Sequence, residues 1–155
     1  MTMAKRGGKG FTLIEMLIVL IIIAVLAVVV LPRIMNARRR AKDEATRQTL
    51  VELDKAVEQF EAEIGCYPTA LIDLFTRVGD TYVGKGIAGT TVADVTVVDS
   101  DNLWKGPYFK ATAVPAVPLG NASWTLITDT ATLLGKVKIT GITTKAVDGS
   151  NYTDW

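Results

Sequence analysis

An apolar run near the amino terminus constrains this chain more than any other feature, because residues 16–31 contain no polar side chain. Together with residues 11–15 it forms a segment of about twenty residues, which as a helix spans roughly 30 Å, the thickness of the hydrocarbon core of a bilayer. A secretory signal peptide has a shorter apolar core, of about 7–15 residues, followed by a small-residue cleavage site. Ala24 and Ala27 do not have that spacing. We therefore expect residues 11–31 to be a transmembrane segment.

One carboxylate, that of Glu15, lies at the head of the apolar run. An acidic side chain at the centre of a membrane helix costs about 2.5–3.5 kcal/mol, and less near the end, so Glu15 needs a partner or a route to the membrane surface. The flanking charges do not orient the segment. Basic residues both precede the run (Lys5, Arg6, Lys9) and follow it (Arg33, Arg38, Arg39, Arg40, Lys42).

The sequence KGFTLIEM at 9–16 resembles the class III leader and methylation signature of type IV pilins and type II secretion pseudopilins. The resemblance covers residues 5–64 well and the rest of the chain only in outline. It implies a cytoplasmic leader, residues 1–10. A prepilin peptidase and methylase would cleave after Gly10 and then methylate the new amino group of Phe11.

The resemblance also gives Glu15 a role. Cleavage creates an ammonium group at Phe11, and a buried cation needs a counter-charge. Glu15 would pair with its own amino terminus or with that of a neighbouring subunit, which guides insertion into a growing filament. The alternative is a carboxylate that reaches the membrane surface. Assembly roles for Thr12 and Pro32 follow from the same resemblance.

Helical periodicity resumes after Pro32, which favours a kink over a helix end, although a proline at the membrane boundary explains the position equally well. In residues 32–64 an amphipathic stripe steps by three and four positions through Leu50, Leu53, Val57, Phe60 and Ile64. Gly65 is the expected C′ glycine, so the helix is predicted over 11–64.

Charge is segregated along this predicted helix. The basic residues after the apolar run are followed by an acidic block, which comprises Glu52, Asp54, Glu58, Glu61 and Glu63. One interpretation is a solvated face. The other is that the basic block, above all Arg38, Arg39 and Arg40, meets the acidic block of another subunit, with Glu58 and Glu61 as contacts, after a shift of roughly 30 Å along the axis.

Residues 65–155 read as a small β domain with loops. Strands are predicted over Thr91–Val98, 124–128 and 136–142, with a turn near Gly135 and an extension over 143–147. Residues 70–78 suggest a short helix with Leu71, Leu74 and Phe75 on one face, and 79–90 a glycine-rich loop. The predicted fold is α+β, a pilin-like ladle in which the long helix packs against a small antiparallel sheet.

Two local sequences, GCYPT at 65–69 and WKGPYF at 104–109, resemble segments of the pseudopilin-like branch. The calcium loop of pseudopilins, with its clustered aspartates, is not matched: Asp148, Asn151 and Asp154 supply oxygens at another spacing, so we expect no metal. The paired carboxy-terminal cysteines of many pilins are also absent, since the chain has one cysteine, Cys66.

The composition argues against an enzyme. The chain has no histidine, no glycine-rich phosphate loop and no nucleophile motif, so neither catalytic residues nor a cofactor are expected. The formal charge of +1 becomes −2 without the three basic leader residues, which gives no support for nucleic-acid binding.

The sequence predicts a pilin, a structural subunit that forms a homo-oligomeric helical filament. Its expected partners are membrane lipid before assembly and an inner-membrane assembly platform. It would cross the cytoplasmic membrane once before assembly and lie in an extracellular or periplasmic filament afterwards. The alternatives are a major pseudopilin of a type II secretion system and an uncleaved membrane-anchored binding domain.

Overall fold

The computed structural model describes residues 11–77, 79, 81–98, 103–109 and 111–155. The chain divides into two compact units, Met1–Arg39 and Arg40–Trp155. The elements are, in order, helix α1 (Leu13–Ile64), a 3₁₀ turn (Leu71–Leu74), strands β1 (Thr81–Ala88), β2 (Thr91–Val98), β3 (Ser123–Leu126) and β4 (Val137–Thr140), and a second 3₁₀ turn (Tyr152–Asp154).

The described part of the first unit is the amino-terminal portion of α1, and all of its side chains are exposed. Pro32 lies inside the helix, so the prediction that the helix continues past this residue is confirmed. The helix begins at Leu13 rather than at Phe11. Thr12 precedes the first helical residue and occupies the N-cap position, which has non-helical backbone.

In the second unit α1 buries one face. All five residues of the predicted stripe are buried, and Asp43, Thr46 and Ala56 join them. The predicted end is also confirmed: Gly65 has a φ of 86° and its N–H donates to the carbonyl of Glu61 at 2.7 Å. A left-handed residue at this position is most easily a glycine, because glycine has no Cβ to clash.

Strands β1 and β2 form an antiparallel hairpin whose register runs from Thr81 opposite Val98 to Ala88 opposite Thr91. The prediction of β2 is confirmed, whereas the glycine-rich loop predicted over 79–90 is wrong because β1 occupies most of it. A Cβ atom on Gly84 would lie 2.4 Å from Cys66 Sγ, and one on Gly86 would lie 2.5 Å from Val95 Cγ2. These glycines therefore do not mark a loop. They allow neighbouring residues to pack closely against a strand.

Strands β3 and β4 pair antiparallel, from Ser123 opposite Thr140 to Leu126 opposite Val137. Both strands were predicted, at longer bounds. In the described residues they form a two-stranded sheet separate from β1 and β2. The predicted extension over 143–147 is wrong: the chain turns there, with the Ala146 N–H donating to the Ser150 carbonyl at 3.0 Å.

The predicted helix over 70–78 is only a 3₁₀ turn, but its apolar face is correct, because Leu71, Leu74 and Phe75 are buried. They join a core between the buried face of α1 and the strands. The centroid of the Phe60 ring lies 5.2 Å from that of the Tyr82 ring and 5.6 Å from that of the Tyr108 ring, and both pairs are edge to face. The α+β prediction, with a long helix packed against small antiparallel sheets, is confirmed.

Candidate functional site

Thr12 and Glu15 close the amino end of α1 with a reciprocal cap. Glu15 Oε2 accepts hydrogen bonds from the N–H and the hydroxyl of Thr12, each at 2.9 Å, and the Glu15 N–H donates to Thr12 Oγ1 at 3.3 Å. This is a capping box, which satisfies two of the helix's amino-terminal donors. The spacing of a threonine and a glutamate three residues apart could have revealed it from the sequence.

The predicted cleavage site lies next to this cap. Gly10 is outside the described residues, and Phe11 is 71% exposed. Thr12 and Glu15 both follow Gly10, so cleavage at that position would leave both members of the cap on the same chain. It would also place the new amino group of Phe11 one residue before the N-cap, at the end of the helix where Glu15 lies.

The apolar portion of α1 that follows the cap is not covered by any other residue that the structure describes. Every large apolar side chain from Leu13 to Leu31 is exposed. By length and composition this helix can cross a membrane. A soluble monomer rarely leaves an apolar surface this large in contact with water, so it needs lipid or protein around it.

The basic residues predicted for subunit contacts are available. Arg38, Arg39 and Arg40 are all exposed, and none of the three has a carboxylate within ion-pair distance among the residues that the structure describes. Pro32, also predicted to act in assembly, lies in α1 and is exposed.

Part of the acidic block already has partners within the chain. Lys136 Nζ lies 3.0 Å from Glu58 Oε1 and 3.9 Å from Asp54 Oδ2. Asp54 also accepts the Val137 N–H at 2.9 Å, and burial raises the pKa of its carboxyl. Glu58 therefore has a competing contact with Lys136, whereas half-buried Glu61 has no ion pair among the described residues.

A cluster that sequence reasoning missed holds the carboxy-terminal segment, residues 145–155, on α1. Asp43, the first buried residue of the helix, accepts the Val147 N–H at 2.8 Å and the Tyr152 hydroxyl at 2.6 Å. Arg47 donates to Asp148 and lies 4.0 Å from the centre of the Trp155 ring. Asp43 and Arg47 are one helical turn apart, but hydrophobic periodicity cannot detect a stripe that starts with a polar residue.

The carboxylates of this segment are engaged by neighbouring donors. Asp148 Oδ1 accepts the N–H of Ser150 at 2.9 Å and its hydroxyl at 2.6 Å. These bonds, with Arg47, lower the pKa of the Asp148 carboxyl. The structure does not bring Asp148, Asn151 and Asp154 together as a metal site: in the described residues no group of three or more acidic, cysteine or histidine side chains is placed to hold an ion.

Comparison with known proteins agrees with this geometry. The family described as "Prokaryotic N-terminal methylation motif" matches residues 5–31. The type IV wide pilus major component PilA4 of Thermus thermophilus is 43% identical over 72 residues, which are 44% of this chain and 55% of that protein. The type II secretion system core protein G of Aeromonas hydrophila is 33% identical over 43% of this chain and 47% of its own length. The chain thus spans about half the length of these two relatives.

A longer alignment joins the chain to the type II secretion system core protein G of Escherichia coli K12. The two are 34% identical over 118 residues, which cover 76% of this chain and 71% of the relative. No solved structure matches the chain significantly. The long alignment extends well beyond the amino-terminal motif, and the chain therefore belongs to the family of type IV pilins and type II secretion pseudopilins.

Proposed function

We propose that this protein is the structural subunit of a type IV pilus-like filament and polymerises through its amino-terminal helix. One observation carries the proposal: the matched motif, residues 5–31, includes the exposed apolar portion of α1, and the capped Glu15 lies at the head of that portion. Such a helix needs an apolar environment. Lipid of the cytoplasmic membrane would supply it before assembly, and the helices of other copies in an extracellular or periplasmic filament would supply it afterwards.

Processing would precede assembly. A prepilin peptidase and methylase would cut between Gly10 and Phe11 and methylate Phe11, and an inner-membrane platform would then add the subunit to the filament. The new ammonium group at Phe11 requires a carboxylate, and Glu15 is the acidic side chain within reach of that helix end. A carboxylate already held in place by the two donors of Thr12 would need little ordering to accept a third.

Replacing Glu15 by alanine tests this pairing. We expect Glu15→Ala to insert into the membrane and to be cleaved, but to form far fewer filaments, because each incoming ammonium group would lose its counter-charge. Filament yield by shearing and electron microscopy is the measurement. The control is Glu44→Ala, which removes an exposed carboxylate of the same helix that lies outside the acidic block. Wild-type filament yield from Glu15→Ala would contradict the proposal.

The exposed basic block supports a second contact between subunits. Arg38, Arg39 and Arg40 would meet acidic residues of a neighbouring copy, Glu61 more readily than Glu58, because Glu58 already contacts Lys136. Changing the three arginines to glutamate should impair assembly without unfolding the second unit, whereas changing them to lysine should preserve it. Circular dichroism checks folding and electron microscopy counts filaments. Normal filaments from the glutamate variant would exclude this contact.

A major pseudopilin of a type II secretion system is the second candidate, and the 118-residue alignment with the Escherichia coli core protein G favours it. In both functions the subunit would polymerise through the same helix. The two functions are therefore distinguished by the assembled structure, a surface pilus or a secretion pseudopilus. Long surface filaments that contain this protein support the pilus. Loss of protein secretion without surface filaments, after deletion of its gene, supports the pseudopilus.

A further inference from the structure

The carboxy-terminal segment, residues 145–155, contacts a cationic side chain of α1, that of Arg47. We propose that the Arg47 guanidinium closes residues 145–155 onto α1 in place of a bound divalent ion, so that this subunit folds independently of calcium. We call Asp43, Arg47, Asp148, Tyr152 and Trp155 the carboxy-terminal clamp. The inference concerns the folded subunit and does not depend on what the filament does.

The carboxylate oxygens around the segment already have hydrogen-bond donors from the protein. A calcium ion takes 6–8 oxygen ligands at about 2.3–2.6 Å. The aspartates of α1 and of the segment that meet here, Asp43, Asp148 and Asp154, each accept hydrogen bonds on both carboxylate oxygens from donors of the protein. An ion would have to displace these donors. The residues present therefore do not fit the calcium loop found in pseudopilins.

Arg47 occupies the position of the cation. Its Nη2 atom donates to Asp148 Oδ2 at 2.5 Å, while its Cζ atom lies over the Trp155 ring, 4.0 Å from the ring centre. A planar guanidinium can make both contacts at once, which a lysine ammonium does less well. One side chain of α1 thus contacts both Asp148 and Trp155 of the segment.

The remaining clamp contacts keep the segment in position around that cation. The Tyr152 and Trp155 rings lie edge to face at 4.7 Å, and the Trp155 indole N–H donates to Ser150 Oγ at 2.8 Å. The Ser150 hydroxyl in turn donates to Asp148. The bonds from Ser150 and Arg47 to Asp148 and the contact of Arg47 with Trp155 close a ring of interactions that requires no added ion.

The test uses the full-length processed protein in detergent micelles, so that it does not require filaments. Hydrogen exchange of peptides from 145–155 and the thermal midpoint are measured in calcium and in chelator. We expect no difference between the two conditions. A calcium site occupied at a hundred times its dissociation constant would raise the midpoint by roughly 10 °C. A shift of that size, or faster exchange in chelator, would overturn the proposal.

Two variants test the role of the arginine. Arg47→Met keeps the length of the side chain and removes the guanidinium, and we expect at least tenfold faster exchange in 145–155, in calcium and in chelator alike. Arg40→Met is the matched control, because Arg40 lines a groove together with Arg47 and Trp155 but has no ion pair among the described residues. Wild-type exchange in Arg47→Met would overturn the proposal. The comparison of wild type in calcium and chelator remains decisive if Arg47→Met does not fold.

Discussion

At the scale of single residues, buried carboxylates hold the loops of the second unit in place. Asp73 Oδ2 accepts hydrogen bonds from the N–H groups of Thr69 and Ala70, at 3.1 and 3.0 Å, and from the Tyr82 hydroxyl at 2.7 Å. Asp43 serves the carboxy-terminal segment in the same way. A buried carboxylate is tolerated where several donors surround it. The donors to Asp73 lie within 9 residues of it in sequence, whereas those to Asp43 lie 104 and 109 residues away.

Tyr108 makes a related contact at the edge of the core. Its hydroxyl donates to Glu63 Oε2 at 2.7 Å. Burial, together with this bond to a carboxylate, raises the pKa of Tyr108 to about 12. Because the folded pKa lies above the ordinary value of about 10, the stabilisation from protonated Tyr108 is complete below pH 10 and is lost as the pH rises through about 12.

An absorbance titration of tyrosinate tests this shift. We expect Tyr108→Phe to remove one titrating group near pH 12 and to leave the groups that titrate at lower pH unchanged. Glu63→Gln removes the charge of the acceptor, so it should lower the pKa of Tyr108 while keeping the aromatic packing. If the group lost in Tyr108→Phe instead titrates near pH 10, the hydrogen bond to Glu63 is not formed in solution.

At the scale of elements, the features that local sequence determines were predicted correctly. The features that contacts between distant residues determine were not. The apolar stripe, Gly65 and strand β2 follow from spacing and propensity. Strand β1 was missed because Gly84 and Gly86 are ordinary loop signals, and only the positions of Cys66 and Val95 show why glycine is needed there. The carboxy-terminal clamp was missed for the same reason, since Asp43 and Tyr152 are far apart in sequence.

Gly84→Ala tests the close approach in β1. The added Cβ would meet Cys66 Sγ at 2.4 Å and the carbonyl oxygen of Tyr67 at 2.6 Å, and the latter is backbone that cannot easily move. We expect a loss of about 1–3 kcal/mol in the free energy of unfolding, as for other overpacked cores. Chemical denaturation measures it.

The matched control for this variant is Val83→Ala. Val83 neighbours Gly84 in β1, but its side chain points away from the core and is 48% exposed. We expect it to change the free energy of unfolding by no more than about 0.5 kcal/mol. Equal stability of the Gly84→Ala and wild-type proteins would show that β1 does not approach Cys66 as closely as described.

At the scale of the whole molecule, α1 is one helix with two environments. From Asp43 to Ile64 its buried face belongs to the core of the second unit. From Leu13 to Leu31 its apolar side chains are exposed, and none of the residues that the structure describes covers them. The fold of the second unit thus explains only part of the sequence. The exposed apolar portion of the helix is explained by the proposed contacts with lipid and with other subunits.

We propose that this helix enters a filament after processing at Gly10. Mass spectrometry of the amino terminus of protein purified from its native host tests it most directly. The account predicts a chain that begins at Phe11 and carries a methyl group on its amine. A chain that begins at Met1, with the leader intact, would contradict the account and favour an uncleaved membrane-anchored domain.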